Sequence, residues 1–221
     1  MSTINRIRSA IAESHDSIEK TPFSIAMMSD FISASDYARG LSQLWRIHWA
    51  LETGMKSSEE VSDFLIDEMC RTETIKRDLR SLKFCTHSFS AMSQTDSIVK
   101  QISHWAKHSP HALIGCLYIL EGSRMGSLVI ARPLSKALGI PSGEIAGLEY
   151  HVEGAAGTPA RVRALKERID TMPFSISQTL HIVDGAVQFM SMLNELYAAI
   201  PVAQAIPSCH FDPVPSNCQR V

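Results

Sequence analysis

The chain is short of every feature that would mark a charge-driven partner or a covalent framework. Its 21 basic and 23 acidic residues leave a net charge of -2, with no general attraction for nucleic acid or an anionic lipid surface. The five cysteines, Cys70, Cys85, Cys116, Cys209 and Cys218, are odd in number and contain no C-x-x-C pair. Neither a zinc site nor a disulfide framework is indicated, and reduced thiols in a cytoplasm are the plain reading. The N-terminus lacks the apolar core of a signal peptide. The apolar run over residues 112–131 is interrupted by Glu121 and Arg124, which argues against a membrane span. Internal repeats, hairpin signals and domain linkers are missing as well. With 221 residues, 45% hydrophobic and 20% charged, the chain is expected to enclose a core and a pocket.

What is present is helical spacing almost throughout. Ile4, Ile7, Ile11 and Ile18 mark one face of a first helix, and Pro22 bounds a short second one over 23–31. Ser35-Asp36 offers an N-cap for a helix reaching Gly54, and Ser57-Ser58-Glu59-Glu60 opens a further short one. Amphipathic segments follow over 71–82 and 96–106, then one long helix over 111–138 that Pro133 kinks near its end. Residues 139–159, with five glycines and two prolines, read as a loop. Two more helices cover 159–171 and 175–200. The expectation is a single all-α domain over residues 1–200, followed by a Pro-rich tail, 201–221, that packs loosely.

Two glycines stand inside the long helix. Each of Gly122 and Gly126 weakens a helix by about 1 kcal/mol relative to alanine. Four residues apart, they share a face, with Ser123 and Ser127 beside them. A face stripped of side chains admits either another helix or a planar ligand. His15 falls on the apolar stripe of the first helix, so its side chain is expected to face inward, as a core histidine or as a ligand. Glu19, one turn on, can accept from one imidazole nitrogen while the other points at a metal, the arrangement that fixes a histidine tautomer. Arg8 lies on nearly the same face, solvated or paired with a ligand carboxylate.

Four segments in the same order resemble heme oxygenases. Ile7-Arg-Ser-Ala-Ile-Ala-Glu-Ser-His15-Asp-Ser-Ile-Glu19-Lys-Thr-Pro-Phe23 looks like the first helix of that family, and Tyr37-Ala-Arg-Gly-Leu-Ser-Gln-Leu-Trp-Arg-Ile-His-Trp-Ala-Leu-Glu52 like the helix that follows. Arg77-Asp78-Leu79 resembles a short R-D-L motif of the family. Gly115-Cys-Leu-Tyr-Ile-Leu-Glu-Gly-Ser-Arg-Met-Gly126 is similar to the Y-V-L-E-G-S-x-x-G-G motif of the bacterial branch that supplies biliverdin to phytochrome photoreceptors. The resemblance spans roughly residues 5–200 and implies a heme oxygenase-like helical bundle with heme between the first helix and the glycine helix. His15 would be the proximal iron ligand, with Glu19 as its acceptor. Gly122 and Gly126 would let the distal helix pass close over the heme. Arg8 matches the position of a propionate-binding basic residue, and on the penultimate helix Arg163, Lys166 and Arg168 are candidates either for propionate partners or for a solvated charged face. The reaction implied is cleavage of heme with dioxygen to biliverdin, carbon monoxide and ferrous iron. Its electrons would come from an external donor such as ferredoxin or a flavoprotein reductase. The chain departs from the family where many members carry an aspartate after the first distal glycine; here that residue is Ser123, and the second glycine of the terminal pair is Ser127.

Two readings compete. A heme or bilin carrier needs only His15 and the pocket. Proteins of the same helical fold that hold two non-heme irons need about six carboxylates and histidines from several helices. His48 with Glu52, His181 with Asp184, and Glu121 have usable spacing without completing that set. His104, His108 and His111 read as surface residues.

Overall fold

The computed structural model describes residues 1–203, and these contain helices and turns but no strand. Ten α-helices follow in order: α1 (Thr3–Ile18), α2 (Pro22–Met27), α3 (Ala34–Lys56), α4 (Thr72–Ser81), α5 (Ser93–His108), α6 (Ala112–Ser123), α7 (Ser127–Ala137), α8 (Glu149–Val152), α9 (Thr158–Thr171) and α10 (Ile176–Ala199). The Pro-rich tail lies outside the described residues from 204 onward, so the expectation of loose packing has no structural counterpart here.

α6 is apolar on every side, and each residue from Ala112 to Glu121 is buried. A helix of that composition belongs at the centre of a protein or in a membrane. The stretch Ala112–Ala137 is long and apolar enough to span a bilayer, yet it is mostly buried against other helices, as a core helix is. Its main neighbour is α10, which also carries α1 on another face. The close approach of α6 and α10 rests on Gly115 and Gly185. A Cβ at Gly115 would stand 2.2 Å from the Ile182 carbonyl oxygen, and one at Gly185 would stand 2.4 Å from that of Ala112. α3 packs on α4, α5 and α6, and its Tyr37, Leu41 and Leu44 share a cavity with α1.

Several local expectations are corrected. The third helix is capped by Ser33, whose hydroxyl accepts from the Asp36 amide at 3.0 Å, rather than by Ser35. The second stops at Met27. No helix starts at Ser57; that residue ends α3, and two short 3-10 turns follow, Ser62–Phe64 and Asp67–Met69, anchored by buried Val61, Phe64 and Met69. The glycine helix is not continuous. A 3-10 turn, Arg124–Gly126, divides it into α6 and α7, while Pro133 sits within α7 without ending it. The expected loop over 139–159 contains the short helix α8.

Candidate functional site

α1 is built to present its last turn. Ser2 caps it through a 3.3 Å bond from the Asn5 amide, and Asp170 of α9 accepts from the Ile4 amide at 3.0 Å. Both acceptors satisfy amides that a helix start leaves unpaired. Ile4, Ile7 and Ile11 are buried along one stripe. His15 continues that stripe, but the core does not close over it: its side chain is 57% exposed and lines a cavity of about 960 Å³. The reading of His15 as a satisfied core histidine is thereby overturned. Its Nδ1 lies 3.6 Å from Glu19 Oε1, leaving Nε2 free to face a ligand.

Gly122 and Gly126 stand on another wall of the same cavity. A Cβ added to either would meet nothing within 4 Å, so neither glycine admits a neighbouring helix. The packing reading of this pair fails, and the open-face reading stands. The 3-10 turn between them is held from behind. Arg124 is 3% exposed; its Nη1 donates to the Tyr150 carbonyl at 2.7 Å and its Nη2 to that of Glu153 at 2.8 Å. Burial, with Arg71 as the next cause, pulls Arg124 down to about 10, still charged at neutral pH. Ser123 turns its hydroxyl to the Leu120 carbonyl at 2.7 Å, as helical serines do, and Ser127 is buried at the cavity wall.

At about 960 Å³ the cavity is at the upper end of the range typical of small-molecule sites, about 300–1,000 Å³. Its walls are mainly apolar, with Ile11, Leu41, Met190 and Leu193 among them, while Arg8 and Lys166 bring positive charge to it. Arg163 and Arg168 are not brought there. Arg163 points to solvent one position round from buried Val162. Arg168 donates to the Asp63 carbonyl and lies 4.2 Å from the Phe64 ring centroid.

One part of the cavity wall is polar, and sequence reasoning missed it. Tyr37, Tyr150 and His151 line it, on α3 and α8. The Arg77-Asp78-Leu79 motif sets α8 in place. Asp78 accepts from the Glu149 and Tyr150 amides, both at 2.7 Å, Arg77 pairs with Glu149 and Glu153, and Leu79 is buried. Burial pushes the Asp78 carboxyl up to about 7 against the pull of those two amides. No sequence signal distinguished His151, because its segment reads as a glycine-rich loop.

The other proposed metal ligands are otherwise engaged. His48 Nε2 lies 3.2 Å from the Tyr150 hydroxyl, and Glu52 caps α4 by accepting from the Arg71 and Thr72 amides at 2.6 and 3.0 Å. Glu121 is buried between Arg161 at 2.7 Å and Arg124 at 3.7 Å. Asp184 is exposed, and no group of three or more candidate ligands occurs among the described residues, which removes the di-iron reading. His111 is buried rather than superficial and lies 3.4 Å from Glu60, whereas His104 and His108 are exposed.

Comparison with known proteins gives the family and the fold. The heme oxygenase family model matches residues 1–198. A heme oxygenase from Guillardia theta is 24% identical over 202 residues, covering 86% of this chain and 84% of its own. The heme oxygenase of Leptospira interrogans superimposes with a TM-score of 0.77 at 18% identity, covering 90% of this chain and 99% of that one. Heme oxygenase-1 of the cyanobacterium Synechocystis, solved in complex with heme, gives 0.78 at 16% identity over 89% and 91% of the two chains. Heme oxygenase 2 of Chlamydomonas reinhardtii, solved without heme, gives 0.80 at 15% identity over 93% and 100%. At these identities the superpositions establish the fold.

Proposed function

The chain belongs to the heme oxygenase family, and from that premise we propose that it cleaves heme with dioxygen to biliverdin, carbon monoxide and ferrous iron through a site built on His15, Gly122 and Gly126. The carrying observation is that a free imidazole and a side-chain-free helix face line one large apolar cavity. This donor set fits heme: a single imidazole nitrogen with a carboxylate near its other nitrogen, apolar walls, and two cations for the propionates. When bound, heme supplies the iron that activates dioxygen and the porphyrin edge that is oxidised.

The protein's own part is positional. His15 Nε2 would hold the heme iron, and Glu19, with Oε1 3.6 Å from Nδ1, stands where it can orient the ring. Gly122 and Gly126 bring bare backbone toward the other side while leaving space for a diatomic ligand. Arg8 and Lys166 would pair with the propionates. The aliphatic walls exclude bulk water from the reacting edge. Electrons come from an external donor of the ferredoxin or flavoprotein reductase kind. We place the protein in the cytoplasm, a compartment that suits the free thiols of Cys70, Cys85 and Cys116.

Titration of the purified protein with hemin tests this reading. A sharp Soret band at one heme per chain is expected, and His15→Ala should change the band and weaken binding. An unchanged spectrum and affinity in His15→Ala would assign the ligand elsewhere.

A further inference from the structure

His151 and Tyr37 are buried polar side chains that the proposed chemistry leaves unused. His151 is 5% exposed and Tyr37 1%, and both line the cavity. Neither ring nitrogen of His151 and not the hydroxyl of Tyr37 has a hydrogen-bond partner among the described residues. Three such atoms in one wall are far from the rule that buried polar groups are satisfied. The two rings stack with centroids 6.0 Å apart, so the three atoms belong to one locale. Their placement is not accidental: Asp78 and Arg77 hold α8 from one side, and Arg124, reaching out of the turn between the two glycines, holds it from the other.

Burial, reinforced by the Arg124 charge, pushes His151 down to about 3, so the ring is neutral at pH 7. A neutral imidazole offers one N–H and one bare nitrogen, and the phenol offers a donor and an acceptor. A buried water needs two to four polar partners and room to sit, and this wall provides both. Ser123 provides less, since its hydroxyl is turned to the Leu120 carbonyl.

We propose that His151 and Tyr37 form a polar subsite that holds ordered water in the cavity, and that this subsite, rather than Ser123, supplies the hydrogen bond to a small ligand bound beneath Gly122 and Gly126. The second half rests on the heme reading; the first does not.

Azide titration of the hemin-loaded ferric protein at pH 7 tests the second half. His151→Phe should weaken azide binding about five- to ten-fold, the weight of one hydrogen bond, with the Soret band of the azide-free protein unchanged. His151→Gln, which keeps a donor and an acceptor, should recover most of the loss. Tyr37→Phe removes only a hydroxyl and should weaken azide in the same direction, so it carries the test if His151→Phe does not fold. Azide affinity equal to wild type in these variants would overturn the assignment. The first half is tested on the apoprotein labelled with 15N-histidine. A cross-peak from the His151 ring N–H to long-lived water is expected, and its absence would remove the water site. Should the wild-type chain fail to bind hemin, the proposed function falls, and the apoprotein measurement still decides the subsite.

Discussion

His48 and His151 are both sealed in the interior, and burial pushes each of them from 6.5 to about 3, with Arg71 and Arg124 adding to the first and Arg124 to the second. A histidine lowered on folding contributes stability that is complete above its unfolded value and is lost as pH falls toward its folded one. Asp78, raised from 3.8 to about 7, acts with the opposite sign. Between about pH 4 and 6.5 the unfolded chain takes up to two more protons through the histidines and one fewer through the aspartate. The net difference approaches one proton only near pH 5, so the predicted loss between pH 7 and pH 5 is about 1–2 kcal/mol in all. Urea unfolding of the apoprotein at pH 7 and pH 5 checks this, and equal stabilities would count against it. His15 shows which residues were legible: its stripe and its spacing to Glu19 were visible in the sequence. His151 was not, because nothing local marks it. Its burial depends on a cap from Asp78, a residue distant in sequence.

The glycines divide by element. On α6 and α10, Gly115 and Gly185 sit where a methyl group would strike backbone, at 2.2 and 2.4 Å. Gly115→Ala or Gly185→Ala should therefore destabilise the apoprotein by about 3 kcal/mol, since backbone cannot rotate away. Gly126→Ala should leave it as stable or up to about 1 kcal/mol more so, because the site is open and its φ of -91° is ordinary. Biliverdin yield in Gly126→Ala should nonetheless fall, as the methyl group enters ligand space. Thermal melts paired with product yields separate the two classes. Behind the same turn, Glu121→Gln should cost about 3 kcal/mol by leaving Arg124 and Arg161 without their buried carboxylate. The existence of this helical stretch was plain from the length of its apolar run, and its interruption was not. Propensity alone favoured a kink at Pro133, but the break sits where Arg124 turns inward to the α8 carbonyls, a tertiary contact that overrides local preference.

For the molecule as a whole, the fold was legible because most long elements carry an apolar period and the glycine motif lies on a continuous apolar run too long for a strand. The architecture follows: two central helices in backbone contact through glycine, with α1 laid along α10 so that its last turn opens on the cavity. The cavity was inferable as a space beside two bare glycines, but its polar wall, and the exclusion of Arg163 and Arg168 from it, depended on how α8 and α9 dock. If this space receives heme between His15 and the glycine turn, the heme should be consumed there. The absorbance of the hemin-loaded protein, after reductant is added in air with catalase present, decides it. Loss of the Soret band is expected, with matching growth of biliverdin and of chelatable ferrous iron, and little bilin from Gly126→Ala. A Soret band that shifts on reduction and then persists, with no bilin formed, would contradict it and leave a heme carrier.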